Sequence, residues 1–200
     1  MFPKCINDLV ECFKKFPGVG QKSAERMAFS VMTDFEDEDI DTFTSSVLSV
    51  KNDIKKCTNC NCITDSDLCF VCSDKSRNKE ELIVVENSKD VFLLEKVGSF
   101  TGYYHVLGGL ISPFDDIGPE DIDLKGLFKR VKEDGVKEII FVTKSGIEAD
   151  TTILYIKKSL DNSDVTISRV ANGIPIGADM DYIDALTLES ALKNRKEVVD

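Results

Sequence analysis

Between residues 57 and 72 the chain reads Cys57-x2-Cys60-x8-Cys69-x2-Cys72, and this spacing restricts its folding more than any other feature. Two closely spaced thiol pairs surround one ion tetrahedrally and leave no position for water, which makes a structural rather than a catalytic centre. Zinc is the ion this spacing predicts. The segment is too short and polar to hold a core of its own, so it needs such a staple. Cys62 offers an alternative ligand through Cys60-x-Cys62, but the CxxC pairing leaves it outside the expected set. Cys62, Cys5 and Cys12 read instead as small buried or half-buried side chains. The first residues, MFPKCINDLV, lack the long apolar core of a secretory signal, so export is not expected. The total of 7 cysteines is odd, and four of them fall in two CxxC pairs, a pattern that in a chain without an export signal reads as metal rather than disulfide and implies a reducing compartment.

Around this knuckle the chain has the composition of a globular protein: 42% apolar and 30% charged residues, with 12 Gly and 5 Pro, exclude collagen-like and disordered classes. No stretch approaches the ~18 apolar residues of a membrane span. A formal charge of -11 argues against nucleic acid only if it is spread evenly. It is not: residues 1–33 carry +2, residues 34–50 carry -6, residues 51–80 carry +1 and residues 81–200 carry -8.

Apolar periodicity divides the rest. Ile6, Leu9, Val10 and Phe13, then Ala24, Met27, Ala28 and Val31, have helical spacing on either side of Phe16-Pro17-Gly18-Val19-Gly20, which predicts two helices and a tight turn. An acidic opening at 34–41, followed by Phe43, Val47, Leu48 and Val50, predicts a third helix to about Ile54. From Leu82 the texture changes. Strands are expected at Leu82–Glu86, Tyr103–Leu107, Glu138–Thr143 and Asp164–Val170, with helices over 89–97, 120–133 and 149–160 between them. That alternation predicts an α/β domain with a mainly parallel sheet.

Three constellations carry chemistry beside the cysteines. The PGVG turn presents backbone N–H groups at Gly18 and Gly20 to a phosphate, with Lys22 and Arg26 one helical turn apart on the same face. A plain helix connection is the competing reading. The turn is not a P-loop, because Gln21 precedes Lys22 and a helix, not a strand, precedes the turn. Glu86 ends the first strand of the sheet, and Glu148-x-Asp150 follows the third, so these carboxylates fall where parallel sheets gather ligands and offer a place for one Mg2+ ion. Equally, Glu148 and Asp150 serve as charges at a helix N-terminus. Asp179, Asp181 and Asp184 read as a solvated loop entering the last helix. The single histidine, His105, reads as a hydrogen-bonded structural residue in a strand rather than half of a catalytic pair. Gly108-Gly109-Leu110-Ile111-Ser112-Pro113 is a glycine-rich turn with weak phosphate-binding potential.

In this order, PGVGQKSAERMAF, the four-cysteine knuckle, LIVVE, YHVLGGLISP, IEAD and NGIPIGADMDYID resemble the RecR family of bacterial recombination mediators over essentially the whole chain. The resemblance implies a helix-hairpin-helix DNA-binding region over 1–55, a four-cysteine zinc finger over 56–78, a Toprim α/β domain over 79–170 and a C-terminal helical segment for subunit association over 171–200. It implies a cytoplasmic, nucleoid-associated protein without enzymatic activity, which forms a ring-like homo-oligomer, dimer or tetramer. Such a ring binds double-stranded and gapped DNA without regard to sequence and acts with RecO and RecF to help load RecA at single-strand gaps. Lys22 and Arg26 match the family's basic hairpin pair. Glu86 matches the Toprim glutamate, while Glu148 and Asp150 stand where topoisomerases and primases carry Asp-x-Asp, and the family also uses this patch to contact RecO. Where members commonly read T-N-P-T-V-E-G-E, this chain has Thr143-Lys144-Ser145-Gly146-Ile147-Glu148-Ala149-Asp150.

Two functions compete. In the first, the chain is a DNA clamp and partner scaffold, with a basic ring lining that resolves the awkward net charge. In the second, the carboxylates hold Mg2+ and the chain is a Toprim-type nuclease. A topoisomerase would need a nucleophilic tyrosine on a separate strand-gating module, for which the chain has no room.

Overall fold

Ile6, Leu9, Val10 and Phe13 form the apolar stripe of α1 (Lys4–Phe13), which packs on Ala24 and Ala28 of α2 (Gln21–Asp34). Alanines at the contact let the two backbones approach closely, and Val19 of the connecting turn closes the end of this small core. Gly18 makes the turn possible, since its φ of +80° is one that a side-chain-bearing residue rarely adopts. The third helix, α3 (Asp37–Asn52), starts at a capping box between Glu36 and Asp39, with Asp37, Glu38 and Asp39 in its first turn. None of its residues is buried: Phe43, Val47, Leu48 and Val50, which the periodicity marks as apolar, stand exposed. Cys5 and Cys12 are exposed as well, contrary to the expected burial, because α1 turns Val10 and its neighbours inward instead. In this computed structural model, which describes residues 2–195 apart from 162, 172 and 176, these helices make up one unit, Met1–Ile54, and Lys55–Asp200 makes up another.

The second unit opens with a hairpin of β1 (Lys55–Lys56) and β2 (Ile63–Thr64) and the short α4 (Phe70–Ser73). Its main body alternates β3 (Glu81–Val85), α5 (Ser88–Val97), β4 (Tyr103–Val106), α6 (Leu124–Asp134), β5 (Glu138–Val142), α7 (Ile147–Ser159) and β6 (Thr166–Arg169). The strands form one wholly parallel sheet in the order β4-β3-β5-β6, with Leu82 opposite both Tyr103 and Ile139. Burial follows from that order. Leu82 to Val85 of the inner strand β3 and all of β4 are buried; β3 reads as a continuous apolar run rather than an alternating one, whereas β4 carries His105 among its buried residues. The chain ends in a 3-10 turn (Met180–Tyr182) and α8 (Ala185–Lys193), whose N-terminus is capped by Asp184 accepting from the Thr187 N–H at 3.0 Å.

Helix α6 begins at Leu124, later than the periodicity predicts, because Asp123 caps it by accepting from the Gly126 N–H, and Asp121 holds the preceding turn at Gly118. The expected C-terminal association segment, 171–200, is described only in part, since 172, 176 and 196–200 lie outside the described residues. His105 is fully buried in β4, its Nε2 2.9 Å from the Asp123 carbonyl oxygen, and desolvation pushes its pKa down. It is a structural residue, as its sequence setting indicates.

Beneath the sheet's β4 edge the Arg77 guanidinium bonds both Glu95 oxygens, at 2.9 and 2.5 Å, and the Tyr104 hydroxyl donates to the same carboxylate at 2.7 Å. Burial works to raise the Glu95 carboxyl, but Arg77 and Tyr104 outweigh it and hold the group below the usual glutamate range. A carboxyl held down in the folded chain contributes stability above its unfolded pKa of about 4.3, and that contribution is lost as the pH falls through the folded value. Glu95→Gln should therefore cost about 1–2 kcal/mol at neutral pH and much less near pH 3. Urea unfolding at the two pH values checks this; an equal cost at both would show that charge is not what Glu95 contributes.

Candidate functional site

The knuckle is built by local hydrogen bonding before any ion enters the argument. The Cys57 N–H donates to the Cys62 carbonyl at 2.7 Å and the Asn61 N–H to the Cys57 carbonyl at 3.0 Å, which curls the chain so that Cys57 and Cys60 face one way. Asn61 takes the left-handed conformation this turn needs, with φ 62°, a region asparagine tolerates better than most residues. Across the hairpin, Cys69 stands at the N-cap of α4 and Cys72 within it. Backbone amides point at sulfur: Cys69 N–H donates to Cys57 Sγ at 3.3 Å and Cys72 N–H to Cys69 Sγ at 3.5 Å.

The Sγ atoms of Cys57, Cys60, Cys69 and Cys72 all lie within 4.8 Å of one another, and among the described residues they are the only such group of metal-ligating side chains. None of the seven cysteines is in a disulfide. The thiols oppose one another: hydrogen bonding, first from Cys60, holds Cys69 down to about 2, while Cys60 is pushed far up, first by Cys62 and then by Cys69. Four thiolates cannot share such a space unless a cation neutralises them, and an all-sulfur tetrahedral set suits zinc. The chain thus fits a structural metal ion at these four residues. Cys62 is fully buried beside them but outside the quartet.

A residue the sequence reading passed over ties this centre to the sheet. Asn61 Nδ2 donates to the Val106 carbonyl at 2.8 Å, and the Val106 N–H donates to the Cys60 carbonyl at 2.9 Å. The knuckle therefore satisfies the outer edge of β4 at Val106, while the Tyr104 carbonyl on the same strand accepts from the Arg130 guanidinium of α6 at 2.6 Å. Tyr103 adds a hydroxyl bond to the Asp74 carbonyl at 2.7 Å, Ser88 Oγ accepts from the Ile63 N–H at 3.1 Å, and Phe70 stacks on Phe92 with centroids 6.1 Å apart. The available signal was an asparagine directly after a ligand cysteine, a residue type suited to left-handed turns.

The acidic residues meet only in part. Glu86 directly follows β3, and Glu148 and Asp150 lie in the first turn of α7, as the strand order requires. Lys144 Nζ sits between two of them, 3.0 Å from Glu148 Oε2 and 3.9 Å from Glu86 Oε1. Asp150 turns away to Arg169, with a 2.6 Å contact. The ligand atoms of Glu86, Glu148 and Asp150 do not form a group within 4.8 Å. The Ser112 hydroxyl, from the glycine-rich turn, donates to Asp115 at 2.7 Å and approaches Glu148 at 3.5 Å, so Asp115 is a fourth carboxylate near this cluster that sequence order alone did not bring forward.

In the N-terminal unit, Gly20 is the N-cap of α2 and no side chain caps that end. A Cβ added at Gly18 or Gly20 would meet nothing within 4 Å, so the turn is open to a ligand. Lys22 and Arg26 are exposed one turn apart, and Glu25 between them is engaged by Gln21 at 2.6 Å rather than by either cation. The two line a surface groove of about 880 Å³ with Ser23, Met27 and Ser30.

If the four thiolates hold an ion, its binding energy is part of the folding energy of the knuckle and of the β4 edge it covers. Cys57→Ser should abolish metal binding and lower the melting temperature. Metal analysis and thermal unfolding check this, and a metal-free wild type with a melting temperature equal to the variant's would contradict it.

Among the described residues no helix is long and apolar enough to cross a membrane. The sequence matches a RecR helix-hairpin-helix family model over residues 6–39, a Toprim domain model over 80–171 and a RecR C-terminal model over 173–196. The first match covers the α1–α2 hairpin, the second the parallel sheet with its helices, and the third runs into α8, with the four-cysteine cluster between the first two. A helix-hairpin-helix, a metal-binding cysteine cluster, a Toprim domain and a C-terminal helix in this order identify the chain as a member of the RecR family.

Proposed function

We propose that the chain is a non-catalytic DNA clamp of recombinational repair, acting with RecO and RecF to help load RecA at single-strand gaps. The observation that carries this reading is the presence of RecR-specific segments at both ends of one chain. Membership of the family supports a role in recombinational repair and in binding DNA. In this reading residues 1–55 bind DNA, with the backbone at Gly18 and Gly20 and the side chains of Lys22 and Arg26 holding phosphates. Residues 56–78 fold around one Zn2+ on Cys57, Cys60, Cys69 and Cys72. Residues 79–170 carry the acidic surface of Glu86, Glu148 and Asp150 that receives a basic partner, and 171–200 join subunits.

Homo-oligomerisation into a ring is supported by apolar side chains that one chain leaves uncovered. Val47, Leu48 and Val50 in α3 and Leu186 and Leu192 in α8 are all more than half exposed, and apolar side chains exposed in groups are the kind of surface that partners cover. The cytoplasm, at the nucleoid, is the compartment where reduced thiolates and DNA are found together. The alternative, a Mg2+-dependent Toprim nuclease, draws on the Toprim domain itself. Weighing against it is Lys144, an ammonium between two of the three carboxylates.

Purified protein with labelled gapped DNA in Mg2+, scored for binding and cleavage across a salt series, tests the reading. Binding without cleavage is expected, and Lys22→Ala with Arg26→Ala should weaken it for every sequence and lower the salt slope by about 2. An unchanged slope removes the hairpin from the DNA site; cleavage lost in Glu86→Gln replaces the clamp with the nuclease. Glu148→Lys should leave DNA binding intact and impair RecO capture in a pull-down, because it reverses local charge. Normal capture would reject the acidic patch as the contact.

A further inference from the structure

The carboxylate cluster beyond the ends of β3 and β5 is partly neutralised from within. Lys144 lies two residues beyond β5, and its Nζ reaches Glu148 Oε2 at 3.0 Å and Glu86 Oε1 at 3.9 Å. Those carboxylates come from different elements, one after the innermost apolar strand and one from the first turn of α7. The Ser112 hydroxyl, which bonds Asp115 and approaches Glu148, draws a third carboxylate to the same place. The Lys144 ammonium is favoured over the neutral amine by its hydrogen bond to Glu148 and by the charges of Glu86, Glu148 and Asp115. Carboxylate oxygens are the donors a hard divalent cation selects; here they do not converge within 4.8 Å of one another, and a point charge of the chain's own stands among them.

We propose that Lys144 is the resident counter-ion of this carboxylate cluster and that its ammonium, by lying within reach of both Glu86 and Glu148, keeps the cluster's affinity for divalent cations low. The inference rests on the non-catalytic reading above, to which it adds a physical cause: a Toprim acidic site in which a lysine takes the cation's place. A divalent ion approaching these carboxylates must displace the ammonium or accept its repulsion. Because the Lys144 side chain is 58% exposed, solvent screens the pair, and the effect expected is about tenfold in affinity rather than all-or-none.

The probe is Mn2+, titrated into the intact chain with its cysteine centre loaded, with free Mn2+ followed by electron paramagnetic resonance. Lys144→Met should bind Mn2+ about tenfold more tightly than the wild type, because it keeps the side chain's length and removes its charge. Lys144→Arg should match the wild type, and adding Glu86→Gln to Lys144→Met should cancel the gain. Thermal unfolding verifies that each variant is folded, and Lys144→Gln replaces Lys144→Met if the latter is not. Equal Mn2+ affinity in wild type and Lys144→Met, or a gain that survives Glu86→Gln, overturns the proposal. Mg2+-dependent cleavage of gapped DNA by the wild type would overturn the non-catalytic reading and this cause with it, whereas equal affinities without cleavage overturn the role of Lys144 alone.

Discussion

Four sulfurs that must be held together against their own charge organise the larger unit of this protein. Isolated, the segment from Lys55 to Ser73 has two strands of two residues each and one helical turn, too little to fold alone. What makes it an ordered element is convergence of Cys57, Cys60, Cys69 and Cys72 on one point with backbone N–H groups aimed at the sulfurs. Once ordered, it has a second use. The carbonyl of Cys60 and the side chain of Asn61 occupy both backbone groups of Val106, so the knuckle pairs the end of the β4 edge strand, whose Tyr104 carbonyl Arg130 satisfies. Beside it the charge network of Arg77, Glu95 and Tyr104 is linked to the end of the knuckle segment through Asp74, 3.5 Å from the Arg77 guanidinium.

Charge is distributed to match this division of labour. A chain of net charge -11 is an unpromising ligand for a polyanion when treated as one body. Its cations at Lys22 and Arg26, however, stand exposed beside an uncapped helix N-terminus in a unit of its own. The carboxylates gather elsewhere, at the ends of β3 and β5 and the start of α7, where parallel strands bring them together whether or not an ion is present. There the local charge is reduced by Lys144, so this surface reads as an acidic face with its own partial neutralisation rather than as an ion cage.

Much of this was legible in the sequence. Helical spacing at Ile6, Leu9, Val10 and Phe13 gave the first helix, because an amphipathic stripe has few other uses. Apolar runs such as Leu82 to Val85 gave buried parallel strands, and the CxxC pairs gave the metal set. Element edges were harder to read: α6 starts late because Asp123, an acidic residue like several around it, is the one that caps. Burial of single residues was harder still. Cys5 and Cys12 stand exposed, and Phe43, Val47 and Leu48 have the pattern of a core face yet remain 41–61% exposed. A periodic stripe states that a face is apolar, not what lies against it.

By itself the sequence determined what depends on spacing along the chain: which residues are helical, which strands are apolar on both faces, which four cysteines pair, and the order of segments that defines the family. The tertiary structure decided what depends on separation in space. Asn61 meets Val106 across 45 positions, Ser112 approaches Glu148 across 36, and Lys144 settles between Glu86 and Glu148 while Asp150 turns to Arg169. Short-range patterns fix local backbone form because neighbours in sequence are always neighbours in space. Contacts between distant segments follow only from strand order and register, which bring β3 and β5 side by side and so set which charges face one another.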